Sequence, residues 1–189
     1  MTMPVTDNIG HFDLCKSVAE WAIRKAWVTL YEYQSYATDE FPDVLVFSRY
    51  GTTLYEIKTS RSDFLADAKK EARRKWRPKV GIYGYRDDGK VMTHVKAEFP
   101  ELYYIQHPHL GSHRYFVCEP GIIEVKDLPE GWGLYHMKGG RMFEKAQSKR
   151  WRPDVHMERN ILAHALRRFA SGDTRGILVS TWERSEVAV

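Results

Sequence analysis

The stretch FPDVLVFSRYGTTLYEIKTSRSDF, Phe41 to Phe64, decides the reading of this chain. Two short runs rich in Val, Leu and Ile, "PDVLVFS" and "TLYEIKTS", flank "RYGT", whose glycine and length predict a hairpin turn. Asp43, Glu56 and Lys58 are charges that a packed strand would normally avoid burying. Counting back from a four-residue loop pairs Ser48 with Thr53, Leu45 with Glu56 and Asp43 with Lys58. Opposed residues share a face, and Glu56 and Lys58, two apart on one strand, point the same way, leaving Val44, Val46, Tyr55 and Ile57 on the other side. The three charges therefore converge on one patch. Two neighbouring carboxylates repel when ionised, and a hard divalent cation such as Mg²⁺ relieves the repulsion while taking oxygen ligands. A lysine beside them orients a hydroxide or neutralises charge developing on a phosphate. The pattern predicts a metal site on an apolar strand pair; the plainer alternative is an exposed cross-strand charge cluster.

Working outward, His11 to Ala26 has helical spacing, with Phe12, Cys15, Ala19, Ala22, Ile23 and Ala26 on one side. Downstream, "SRSDFLADAKKEARRKW" switches to helical spacing, with Ser60 or Ser62 as N-cap and Pro78 closing it. "VGIYGY" and "ELYYIQ" are weak strand candidates, "HRYFVCEPG" is a stronger one, and "GWGLYHM" is a late one. "DVHMERNILAHALRRFA" predicts a final helix with Ile161, Leu162, Ala165, Leu166 and Phe169 inward, and the tail after Gly172 reads as loosely held. The order is that of an α/β protein.

The 189 residues suit one domain, and an apolar content of 43% is enough to build a core. No segment approaches the roughly 18–20 uninterrupted apolar residues of a membrane span, and no basic start precedes an apolar run, so a cytoplasmic protein is expected. Cys15 and Cys118 stand far apart without CxxC spacing and read as buried free thiols. The net charge of +4 is mild, but its distribution is uneven. Lys69, Lys70, Arg73, Arg74, Lys75, Arg77 and Lys79 face a single Glu between residues 69 and 79, and a second cluster includes Lys149, Arg150 and Arg152. Each cluster alone is as well explained by a solvated helix face; together, with Trp76 and Trp151 among them, they favour a polyanion bound through phosphate contacts.

Pro42-Asp43 followed across a hairpin by Glu56-Ile57-Lys58 resembles the PD-(D/E)xK pattern of the restriction-endonuclease-like nucleases. With "EIKTSRSDFLAD", "HRYFVCEPGII" and "LPEGWGL", the chain is similar to the MmcB-like DNA-repair group and its phage-borne relatives over most of Phe12 to Met137. The resemblance implies a restriction-endonuclease-like core, a central mixed sheet flanked by helices, acting on nucleic acid, most readily DNA, with Mg²⁺ or Mn²⁺ in a bacterial or phage-infected cell. It implies metal-binding carboxylates at Asp43 and Glu56, the Ile57 carbonyl as a further ligand, Lys58 as the catalytic lysine and Glu20 on the first helix as a catalytic acid. Ser60 and Asp63 would sit beside the site. Residues 1–137 would form this core and 138–189 a basic extension with a terminal helix, packed on the same domain. A homodimer would let such an enzyme cut both strands.

A bare ExK carries little weight, since Glu124-Val125-Lys126 repeats it without a preceding PD and reads as surface charge next to a turn. Glu20 also suits an i,i+4 pair with Arg24. "HPH" at His107 and His109 lacks the spacing of a zinc site. The leading expectation is a metal-dependent deoxyribonuclease; a nucleic-acid-binding module that keeps the fold without turnover, and a protein-interaction module, are the alternatives.

Overall fold

The computed structural model describes residues 10–35, 41–67 and 110–181, with the backbone of short strands at 76–78, 84–85, 91–92 and 104–106. In chain order the elements are α1 (His11–Ile23), β1 (Val28–Tyr31), β2 (Val44–Ser48), β3 (Gly51–Lys58), α2 (Arg61–Asp67), β4 (Trp76–Pro78), β5 (Gly84–Tyr85), β6 (Val91–Met92), β7 (Tyr104–Gln106), β8 (His113–Cys118), β9 (Gly133–Lys138), β10 (Arg141–Ala146), α3 (Val155–Ala170) and β11 (Ile177–Val179). Seven strands form a mixed sheet in the order β10-β9-β8-β3-β2-β1-β11. Two-stranded pairs β4-β7 and β5-β6 stand apart from it. Among the described residues no helix is long and apolar enough to cross a membrane.

The β2-β3 hairpin is tighter than a four-residue loop. Ser48 pairs with Gly51, so only Arg49 and Tyr50 lie between the strands. Gly51 has φ +113°, which a side chain tolerates poorly, and the Ser48 hydroxyl accepts from Tyr50 N and donates to the Gly51 carbonyl. Relative to the expected register the pairing moves by two residues, from Leu45 opposite Glu56 to Leu45 opposite Leu54. An even shift leaves the faces unchanged. Val44, Val46, Tyr55 and Ile57 pack with Tyr115, Val117 and Met137 against Leu14, Cys15, Val18, Ala19 and Ala22 of α1. On the opposite face Leu45 and Phe47 meet Met157, Ile161 and Ala165 of α3, while Leu54, Phe116 and Leu134 meet Phe64 of α2, Ile123 and Trp132.

Several expectations need correction. In α1, Leu14 and Val18 are buried and Phe12 is exposed, because the stripe facing the sheet is rotated from the one read in the sequence. In α3, Leu166 and Phe169 are exposed, while Glu158 is buried and its Oε1 accepts from Thr52 Oγ1 at 2.7 Å and Gly111 N at 2.8 Å. The described part of the tail after Gly172 is not loose: β11 pairs antiparallel with β1, while residues 182–189 lie outside the described residues. The stretch from 138, expected as an extension packed on the same domain, supplies both edge strands of the main sheet, β10 and β11. Pro153-Asp154, which leads to no ExK, marks a helix start, with Asp154 capping α3 through Met157 N. Glu124 and Lys126 are exposed, the one capping and the other within a short 3-10 turn at Val125–Asp127, as their surface reading requires.

Candidate functional site

Strand direction gathers the charged groups at one end of the sheet. β1 and β3 both run antiparallel to β2, so the ends of β1 and β3 lie beside the beginning of β2. The β2-β3 ladder begins at Val44 opposite Tyr55, so one further step would set Asp43 opposite Glu56 rather than Lys58. Asp43 Oδ2 accepts from Ile57 N at 2.7 Å, so a side chain takes over the ladder where β2 begins. The Ile57 N–H, flanked by Glu56 and Lys58, is thereby tied to Asp43.

Glu56 and Lys58 lie deep in the fold, 2% and 1% exposed. The Lys58 ammonium is 3.6 Å from Glu56 Oε2 and 3.1 Å from Asp67 Oδ1 on α2, and Asp67 is itself 2% exposed. Three buried groups, two acidic and one basic, hold one another. Asp67 had no place in the sequence reading, although it follows Asp63 by four residues on the helix that starts after Lys58. Ser60 is the cap of that helix, its Oγ accepting from Asp63 N at 3.1 Å.

On the α1 side, His11 at the helix start places Nε2 3.5 Å from Asp43 Oδ2 and Nδ1 3.1 Å from Glu32 Oε1. Cys15, one turn along, donates to the same Glu32 oxygen at 3.2 Å. The contact with Asp43 raises the His11 imidazole above its ordinary value; burial opposes it, and the fields of Asp43, Glu32 and Asp63 add to the rise. Burial pushes the Cys15 thiol well up, with the Asp43 charge adding to it. His11 and Glu32 were also missed in the sequence, because their meeting depends on β1, a strand the apolar pattern did not mark.

Glu20 is not brought to this end. Its side chain is exposed and pairs with Lys16 at 3.8 Å, about 13 Å along the helix axis from His11 at 1.5 Å per residue. Arg150 and Arg152 line a cavity with Gly51 and Thr52, at the start of β3, whereas Glu56 and Lys58 end it. That separation is about 20 Å at the strand rise. Lys149 is directed at Glu130 and lies 4.5 Å from the Trp151 ring centroid. Lys69, Lys70, Arg73, Arg74 and Lys75, with His107 and His109, lie outside the described residues, as does the Arg77 side chain. A second cavity, of about 680 Å³, opens beside Glu32 and is lined by Phe12, Tyr31, Phe41, His164, Arg168 and Arg175 among others.

The α2 helix that carries Asp67 is tied down by a two-pronged ion pair, Arg61 Nη1 to Asp127 Oδ2 at 2.6 Å and Nη2 to Oδ1 at 2.9 Å. The Arg61 guanidinium, helped by Glu124 N, holds the Asp127 carboxyl at about 2, below its ordinary 3.8. A carboxyl depressed in the folded state stabilises above its unfolded pKa and loses that contribution as pH falls through the folded one. Asp127→Asn is therefore expected to lower the melting temperature near neutral pH, with the gap to wild type closing between about pH 4 and pH 2. A gap that stayed constant across a pH series of melting curves would contradict this role.

The chain matches no family model, and no curated protein is similar to it. Among solved structures it is similar to SPO1766, a protein of unknown function from Silicibacter pomeroyi, over 90% of this chain and 94% of that one. The TM-score is 0.51 at 17% identity, a likeness of fold.

Proposed function

We propose that the chain is a metal-dependent nuclease with a restriction-endonuclease-like core that hydrolyses phosphodiester bonds in DNA, in repair or phage DNA metabolism. One observation carries the reading: Asp43, just before β2, reaches through Oδ2 to Ile57 N between Glu56 and Lys58, and the Lys58 ammonium is held by Glu56 and Asp67. The donors suit Mg²⁺ or Mn²⁺, since carboxylate oxygens are hard ligands and the group Glu56, Lys58 and Asp67 carries a formal negative charge. Asp43 and Glu56 would hold the ion, which when bound supplies a more acidic water and neutralises charge on the phosphate.

The protein's own part is positional. Asp43 is anchored through Oδ2 to Ile57 N, leaving its second oxygen for other partners. Lys58 cannot swing, because two carboxylates hold Nζ, so a positive charge stands at a fixed place for charge building on phosphate oxygens. Phe12, Tyr31 and Phe41 offer stacking faces for a strand near the site, beside Arg168 and Arg175, which are both paired with Asp173. Arg150 and Arg152, about 20 Å off, lie within about six nucleotides at 3.4 Å per step.

A second reading, a binding module without turnover, is favoured by the near-complete burial of Glu56 and Lys58. A cleavage panel of single-stranded, duplex, flapped and RNA substrates separates the two, run with wild type and Glu56→Gln in Mg²⁺, Mn²⁺ and EDTA. Product that requires both the metal and Glu56 supports the nuclease. Binding with no product under any metal overturns it in favour of the binding module.

A further inference from the structure

Among the described residues, one group of metal-ligating atoms stands outside the proposed Asp43-Glu56 pair, at the start of α1. His11 Nδ1, Cys15 Sγ and Glu32 Oε1 form a triangle with edges of 3.1 Å between His11 and Glu32, 3.2 Å between Cys15 and Glu32, and 3.6 Å between His11 and Cys15. Tetrahedral zinc bonds to nitrogen, oxygen and sulfur place such ligands roughly 3.3–3.6 Å apart. The separations need only small adjustments. His11 and Cys15 stand one helical turn apart and point the same way. Glu32 reaches them from the end of β1 through a left-handed backbone with φ +47°, a conformation non-glycine residues seldom adopt.

The other nitrogen of the same imidazole faces a carboxylate, with Nε2 3.5 Å from Asp43 Oδ2. A carboxylate behind a histidine is the usual arrangement around metal-bound imidazole, where it fixes the tautomer and ring orientation. The access is also suitable. Cys15 is buried, whereas the His11 and Glu32 side chains are 38% and 37% exposed, so an ion can reach the triangle from solvent. A thiolate with an imidazole is a poor set for Mg²⁺ and a good one for zinc-like ions.

We propose that His11, Cys15 and Glu32 bind one transition-metal ion of zinc-like character, with Asp43 orienting His11 from behind. The site is separate in ligand chemistry from the oxygen site of the nuclease reading and does not rest on that reading. Binding needs the Cys15 proton to leave to solvent as the sulfur–metal bond forms, so affinity rises with pH.

The test uses the full chain, stripped with chelator under a non-thiol reductant and titrated with Co²⁺ as the probe. The expected result is one equivalent bound with a thiolate-to-cobalt charge-transfer band, displaced by Zn²⁺ and not by excess Mg²⁺. Cys15→Ser should remove the band, and Asp43→Asn should keep it while weakening binding by about 10- to 100-fold. Because Cys15 is buried and its variant can misfold, Glu32→Gln and His11→Ala near the surface are measured as well and should each weaken Co²⁺ binding at least tenfold. Folded wild type that binds no Co²⁺, or binds it without the thiolate band, overturns the proposal. So does unchanged affinity in the Glu32 and His11 variants.

Discussion

Lys58→Met is expected to lower the folding stability by about 3–5 kcal/mol, the scale for removing one partner from a buried ion pair. The reason lies in the exposures of Glu56, Lys58 and Asp67, none above 2%, and in the two contacts of one ammonium at 3.6 and 3.1 Å. Without that cation two buried carboxylates lose their shared counter-charge beside Phe64 and Phe116, where charge is poorly solvated. Urea unfolding of Lys58→Met and of Lys58→Met combined with Asp67→Leu checks this. The double variant should recover part of the loss, because it removes one of the two buried acidic charges and adds apolar volume. A loss below about 1 kcal/mol in the single variant, the range of an exposed pair, would show that Lys58 is not the counter-ion of the two acids.

The same geometry makes Lys58 an unsuitable residue for testing catalysis, since its loss disturbs fold and chemistry together. Asp43 is suitable. Its side chain is 18% exposed, and an asparagine keeps an oxygen to accept the Ile57 N–H. Asp43→Asn is expected to reduce metal-dependent cleavage by about 10²- to 10³-fold, the scale for losing one preorganised electrostatic group, with the melting temperature nearly unchanged. DNA affinity measured in EDTA should stay at the wild-type level, because the cations proposed to meet the phosphate backbone, Arg150 and Arg152, are untouched. Cleavage at the wild-type rate in this variant would refute the nuclease assignment.

What could be read from the sequence follows physical range. The hairpin and its two faces were legible, because alternation along β2 and β3 is a local property and the two-residue error in loop length is even. Ser60 as a cap was likewise local. Phe12 and Leu166 were misplaced because helical spacing shows that a stripe exists, while the sheet's extent decides which residues it covers. Asp67 and Glu32 were not legible. One acquires its role from a lysine on another element, the other from a left-handed residue after an unrecognised strand.

The placement of β11 has a consequence for how the protein is made. β1 pairs with β2 on one side and with β11 on the other, so a strand synthesised early, Val28–Tyr31, waits for a partner, Ile177–Val179, that is synthesised much later. During translation its free edge is open to pairing with any extended segment nearby, including the same edge of a sister nascent chain. Closing the sheet is therefore a late and slow event of high contact order, and a ribosome stalled before Ile177 would present an unsealed β-edge to the cell's chaperones.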